Sequence, residues 1–222
     1  SPDGNYAAQV IRRDGKAGVA MVHLRSNSRI QLVEPAEFGF HGLKFSRDGN
    51  YLYFTRTSPN ESATLFRTPI LSPEPVKLVS NVAIHVGVAP TDDRICFIRQ
   101  SGKQKTDLMV ANTDGTGERV LASREGEETY WSWSIDWSPD GRRIATSVRR
   151  TGQNSNTRLV TVNVETGEEA PITGPVFGSG GGEGLVWLAD GSGIIYSGGD
   201  LVETRAQLWH VEYPSGNIRK LT

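Results

Sequence analysis

The chain has 222 residues, with 24 Lys and Arg against 25 Asp and Glu and a formal charge of −1. That length holds one large domain or two small ones with a sizeable core. Balanced charge excludes a generally basic nucleic-acid binder or an acidic tail, and no apolar run nears the ~20 residues of a membrane helix.

In chain order, one short motif keeps returning. Ser1-Pro2-Asp3-Gly4 precedes Asn5-Tyr6-Ala7-Ala8, and Ser46-Arg47-Asp48-Gly49 follows Leu43-Lys44-Phe45. Ala89-Pro90-Thr91-Asp92 is a worn copy, Ser138-Pro139-Asp140-Gly141 follows Ile135-Asp136-Trp137, and Leu188-Ala189-Asp190-Gly191 follows Val186-Trp187. The copies begin at 1, 46, 89, 138 and 188. Repeats of ~40–50 residues with strand patterning are the signature of propeller blades. Each motif reads as a turn: Asp can bond the backbone two residues on, and Gly accepts positive φ.

Around each turn the pattern predicts four strands. A first ends at Phe45, Val88, Trp137 or Trp187. The second follows at once: Tyr51–Thr55, Arg94–Arg99, Arg143–Val148, Gly193–Ser197. The third is Val19–Leu24, Leu65–Ile70, Leu108–Asn112, Leu159–Val164 and Leu208–Tyr213. The fourth is Arg29–Val33, Pro75–Val79, Glu118–Leu121, Glu168–Ile172 and Asn217–Leu221. Asp114-Gly115, Thr166-Gly167 and Ser215-Gly216 supply hairpin turns. No segment of ten or more residues has helical periodicity, so the chain is all-β.

The run Trp137-Ser138-Pro139-Asp140-Gly141-Arg142-Arg143-Ile144-Ala145, repeated along the whole chain, resembles the TolB-like β-propeller repeat, a relative of the WD-type repeat. The resemblance implies four-stranded antiparallel blades, about five in this chain, in a mainly bacterial family. The copy at Ala89 departs from the pattern, which puts its turn geometry in question. The chain opens at an anchor turn and ends on a fourth strand, so five sets of outer strands accompany four inner ones. That register predicts part of a propeller of more than five blades, with a closed five-bladed ring as the rival.

The chemistry-bearing motifs are sparse. No G-x-S-x-G elbow or phosphate loop is present. Gly178–Gly184 fails the dinucleotide pattern and reads as a loop entering the last inner strand. Cys96, the sole cysteine, lies between Ile95 and Phe97 and reads as a buried structural thiol; no internal disulfide can form. Arg142-Arg143 and Arg149-Arg150 read as a solvated outer face, and Asn60-Glu61-Ser62 as a chance glycosylation match.

Five residues near the inner-strand starts are candidates for ligand or partner contact: His41, His85, Trp131, Trp133 and Glu183. Strict alternation puts His41 and His85 on opposite faces unless a bulge intervenes. It puts Trp131, Trp133, Ile135 and Trp137 on one face. Ile135 and Trp137 then pack between blades, while Trp131 and Trp133 form an aromatic shelf, with Glu125, Glu127 and Glu128 making the rim acidic. The expectation is a non-enzymatic module, without cofactor, metal or catalytic residue, that binds a protein or peptide and neither nucleic acid nor membrane. The resemblance implies a periplasmic or extracytoplasmic setting. The alternatives are the gating propeller of a prolyl-oligopeptidase-like or tricorn-like peptidase, and a metal-dependent propeller lyase.

Overall fold

The computed structural model describes residues 1–59, 61–91, 93–152, 155–174, 177–178, 184–199 and 206–222. Twenty strands and no helix occur among them. The first blade holds β1 (Tyr6–Arg13), β2 (Lys16–His23) and β3 (Arg29–Ala36). The second holds β4 (Gly39–Phe45), β5 (Tyr51–Thr57), β6 (Ala63–Pro69) and β7 (Val76–Val82). The third holds β8 (Val86–Val88), β9 (Arg94–Gly102), β10 (Lys105–Asn112) and β11 (Arg119–Glu125). The fourth holds β12 (Glu128–Trp137), β13 (Arg143–Arg150), β14 (Asn156–Asn163) and β15 (Glu169–Pro171), with a short β16 (Phe177–Gly178) added beside β14. The fifth holds β17 (Gly184–Trp187), β18 (Gly193–Gly198), β19 (Gln207–Glu212) and β20 (Ile218–Lys220). All pairings are antiparallel, and the inner strands β4, β8, β12 and β17 touch in succession about the axis.

The anchor turns form as their chemistry dictates. Ser138 Oγ donates to Asp140 Oδ1 (2.6 Å) and accepts from Arg143 N (2.9 Å), while Arg142 N donates to Asp140 Oδ1 (3.0 Å). Ser46 and Asp48 repeat the arrangement. Gly4, Gly49, Gly141 and Gly191 all take positive φ, between 69° and 74°. In the worn copy Ala89 N still donates to Arg94 O (2.9 Å), but Asp92 lies outside the described residues.

Alternation along the second strands builds the interior. Leu52 and Phe54 face the first blade, and Tyr53 faces the third. Ile95 and Phe97 face the second blade, and Cys96 and Ile98 face the fourth. Strands buried on both faces read as continuous apolar runs, which is why these segments lack a polar side. Each fully buried large apolar side chain contributes roughly 1.5–3 kcal/mol. Cys96 is fully buried, and burial pushes its thiol pKa well up. The four interblade clusters join successive blades; among the described residues none joins the first blade to the fifth.

Candidate axial binding site

The site forms where the inner strands begin. β4 pairs with β5 as His41 opposite Thr55, then Lys44 opposite Tyr53, so Gly42 and Leu43 together face one residue. This is a β-bulge. Gly42 takes φ +60°, and a Cβ there would lie 2.6 Å from Ile84 O and 3.1 Å from His85 Cα. Positive φ and the close passage of the next blade's chain both require glycine. Thr55 Oγ1 ties the two blades by donating to Ile84 O (2.5 Å) and His41 O (3.3 Å). The bulge resets the alternation of β4, so His41 and His85 reach the same space.

Trp133 joins them from the fourth blade. Its ring centroid is 6.1 Å from His41, edge-on, and 5.9 Å from His85. The shared aromatic shelf expected from alternation does not form. In β12, Tyr130 faces Val148 and Ile135 faces Thr146, so four residues, 131–134, stand opposite Ser147 alone. Their excursion turns Trp131 away to stack under the Arg149 guanidinium (4.3 Å), while Trp133 enters the histidine pair. Ile135 and Trp137 do pack between the third and fourth blades. Glu183 and the residues 179–183 of the glycine-rich loop lie outside the described residues, as does Asn60 of the sequon.

Beneath the aromatic cluster two charges meet across the axis. Lys44 Nζ lies 2.9 Å from Asp136 Oδ1, and Asp136 Oδ2 accepts the main-chain N–H of Trp187 (3.0 Å). One carboxylate therefore links the second, fourth and fifth blades. Neither residue belongs to a chemical motif in the sequence, yet each stands two before its anchor serine. That shared repeat position was the available signal.

Burial, then the nearby Lys44 charge and His41, holds His85 down to about 4. Burial and the Arg12 charge lower His41. Both rings are neutral at pH 7. Because the folded state holds His85 below its unfolded value of about 6.5, the unfolded chain binds more protons between those values. Stability must then fall as pH drops through that window. The expected loss for His85 alone is about 2 kcal/mol between pH 7 and pH 5. Urea unfolding at the two pH values measures it; His85→Asn should remove most of the difference, and an unchanged difference would reject the assignment.

Two of the three rim glutamates, Glu127 and Glu128, are held in ion pairs. Glu127 pairs with Arg150 (2.9 Å), and Glu128 pairs with Arg124 (2.9 Å) and Arg158 (2.8 Å). Arg124 also binds Glu169, whose Oε2 accepts the Tyr130 hydroxyl (3.0 Å). Three arginines from three strands thus pair with Glu127, Glu128 and Glu169. The arginine pairs form no common patch: Arg142 and Arg143 stand at the anchor end of β13, and Arg149 and Arg150 at the other. Among the described residues no group of three or more His, Cys, Asp or Glu gathers to hold a metal.

No family model matches the chain, and no curated protein matches it in sequence. Solved structures do match. A protein assigned as TolB from Agrobacterium tumefaciens is 17% identical over 100% of this chain and 78% of its own, at a TM-score of 0.73. TolB from Acinetobacter baumannii is 10% identical over 100% of this chain, which spans 54% of that protein, at 0.75. An oligogalacturonate lyase in complex with manganese is 19% identical over 99% of this chain and 62% of its own, at 0.67. Peptidase propellers are also among the matches. At these identities the likeness is one of fold. The chain is an all-β propeller with the TolB-like fold.

Proposed function

We propose that this chain is a non-enzymatic binding or sensing module whose axial mouth takes a protein or peptide segment. The carrying observation is Trp133, half-buried and meeting two neutral imidazoles beside the Lys44–Asp136 pair. An indole with a large apolar face and one donor is a strong anchor for a partner. A metal-dependent lyase would need a third ligand beside His41 and His85, and none is found among the described residues. No nucleophile elbow occurs in the sequence, so under the runner-up reading, a peptidase gate, the catalytic groups would belong to another domain. The match to peptidase propellers keeps that runner-up. Among the described residues no helix is long and apolar enough to cross a membrane. We place the module outside the cytoplasm, on its likeness to TolB structures.

Peptides selected by display against the protein test the reading. Trp133→Ala should weaken their binding by about 30-fold, roughly the 2 kcal/mol of an interface hot spot. It should lower unfolding free energy by less than ~1 kcal/mol, since the ring is only partly buried. Equal losses in both measurements would mean that Trp133 is a packing residue.

A further inference from the structure

The opposite end of β4 carries a second feature that the axial site does not use. Between the first two blades, at the anchor turns, lies a groove of about 310 Å³. Tyr6, Met21, Ile30, Phe45, Ile70 and Leu71 form its apolar lining. Met21 is buried at the floor, whereas Ile30 is 45% and Leu71 98% exposed.

The loop that bears Leu71 breaks the repeat. In the third, fourth and fifth blades the third and fourth strands are joined through glycines at positive φ, at Gly115, Gly167 and Gly216. In the second blade the connection is Ile70-Leu71-Ser72-Pro73-Glu74-Pro75. Two prolines fix φ and stiffen the loop, which holds a leucine in solvent where the other blades turn tightly. A large apolar side chain held out beside an apolar groove is the mark of a contact surface.

Charge narrows the occupant. The charged side chains lining the groove are Asp3 and Asp48, one on each blade. Each accepts bonds from its own turn: Asn5 N (3.1 Å) and Nδ2 (2.7 Å) for Asp3, Asn50 N (3.0 Å) and Nδ2 (2.7 Å) for Asp48. Hydroxyls of Ser1 and Ser46 donate to them as well. These bonds favour the ionised carboxylates and hold both below the ordinary range. The Ser1 nitrogen is engaged by Tyr6 O (2.6 Å).

We propose that this groove docks an extended segment of a partner protein bearing an apolar side chain next to lysine or arginine. The apolar group covers Met21 and Phe45 and packs on Leu71. The cation meets Asp3 or Asp48.

Three blocked peptides test this by NMR titration of the 222-residue protein: one of pattern Lys-Leu-Phe-Lys, one with Glu for Lys, and one with Ser for the apolar pair. The basic apolar peptide should shift the Ile30 and Leu71 amides and bind at least 10-fold more tightly than either control. Leu71→Ser, at a solvent-exposed position, should weaken it 5- to 10-fold without loss of fold. Asp3→Asn should erode the preference over the Glu peptide, and salt should do the same. No shift at millimolar peptide overturns the proposal, as do equal binding of all three or shifts confined to His41, His85 and Trp133. Self-association of the free protein that Leu71→Ser abolishes also overturns it, since a second copy would then be the occupant.

Discussion

Gly42→Val is expected to destabilise the protein by about 3 kcal/mol or more and to dismantle the axial site. Left-handed φ costs an L-residue roughly 1–2 kcal/mol, and a β-branched one is a true outlier there. The new Cβ would also meet Ile84 O at 2.6 Å and His85 Cα at 3.1 Å. Both are backbone atoms of the neighbouring blade and cannot swing aside, so overpacking adds roughly 1–3 kcal/mol. The second and third blades must part at His85, which also leans on Trp133 of the fourth. Water then reaches His85 and its pKa recovers toward the ordinary value, so the stability loss between pH 7 and pH 5 shrinks. Urea unfolding of the variant at both pH values measures the two effects together. A cost below 1 kcal/mol would show that the bulge can be rebuilt without glycine.

Asp136→Ala should cost about 2–3 kcal/mol. The substitution strands two donors, the Lys44 ammonium and the Trp187 N–H, and each unpaired buried donor costs about 1–3 kcal/mol. A fully buried broken pair would cost roughly 3–5 kcal/mol. Lys44, with a third of its side chain exposed, can turn to water and recover part of that. Asp136→Asn should cost less, because the amide oxygen can still accept from Trp187 N. Adding Lys44→Met to Asp136→Ala should recover stability relative to the single aspartate variant. Strict additivity in that double-mutant cycle would deny the cross-axis pair an energetic role.

The two sites were legible in the sequence to different degrees. The anchors announced themselves, because Ser138, Asp140 and Gly141 close their turn with bonds that span only five residues. His41, His85 and Trp133 could be named from their distance to those anchors. Their meeting could not, since strict alternation separates the two histidines and unites Trp133 with Trp131. The bulge in β4 follows from Ile84 of the next blade passing over Gly42, and the excursion at 131–134 separates the two tryptophans. The ion pairs of the rim were hidden for a related reason: Arg124, Arg150 and Arg158 come from three strands, and no local spacing shows that they converge on Glu127, Glu128 and Glu169.

The sequence by itself determined the all-β class, the turn positions, the strand order and the apolar faces of the second strands. Those depend on interactions within a few residues and on a period of two. Only the tertiary structure decided which inner-strand side chains share the axis, that Lys44 meets Asp136, and that Leu71 stands over a groove. Those outcomes depend on how one blade's backbone crowds the next, a contact made between residues tens of positions apart.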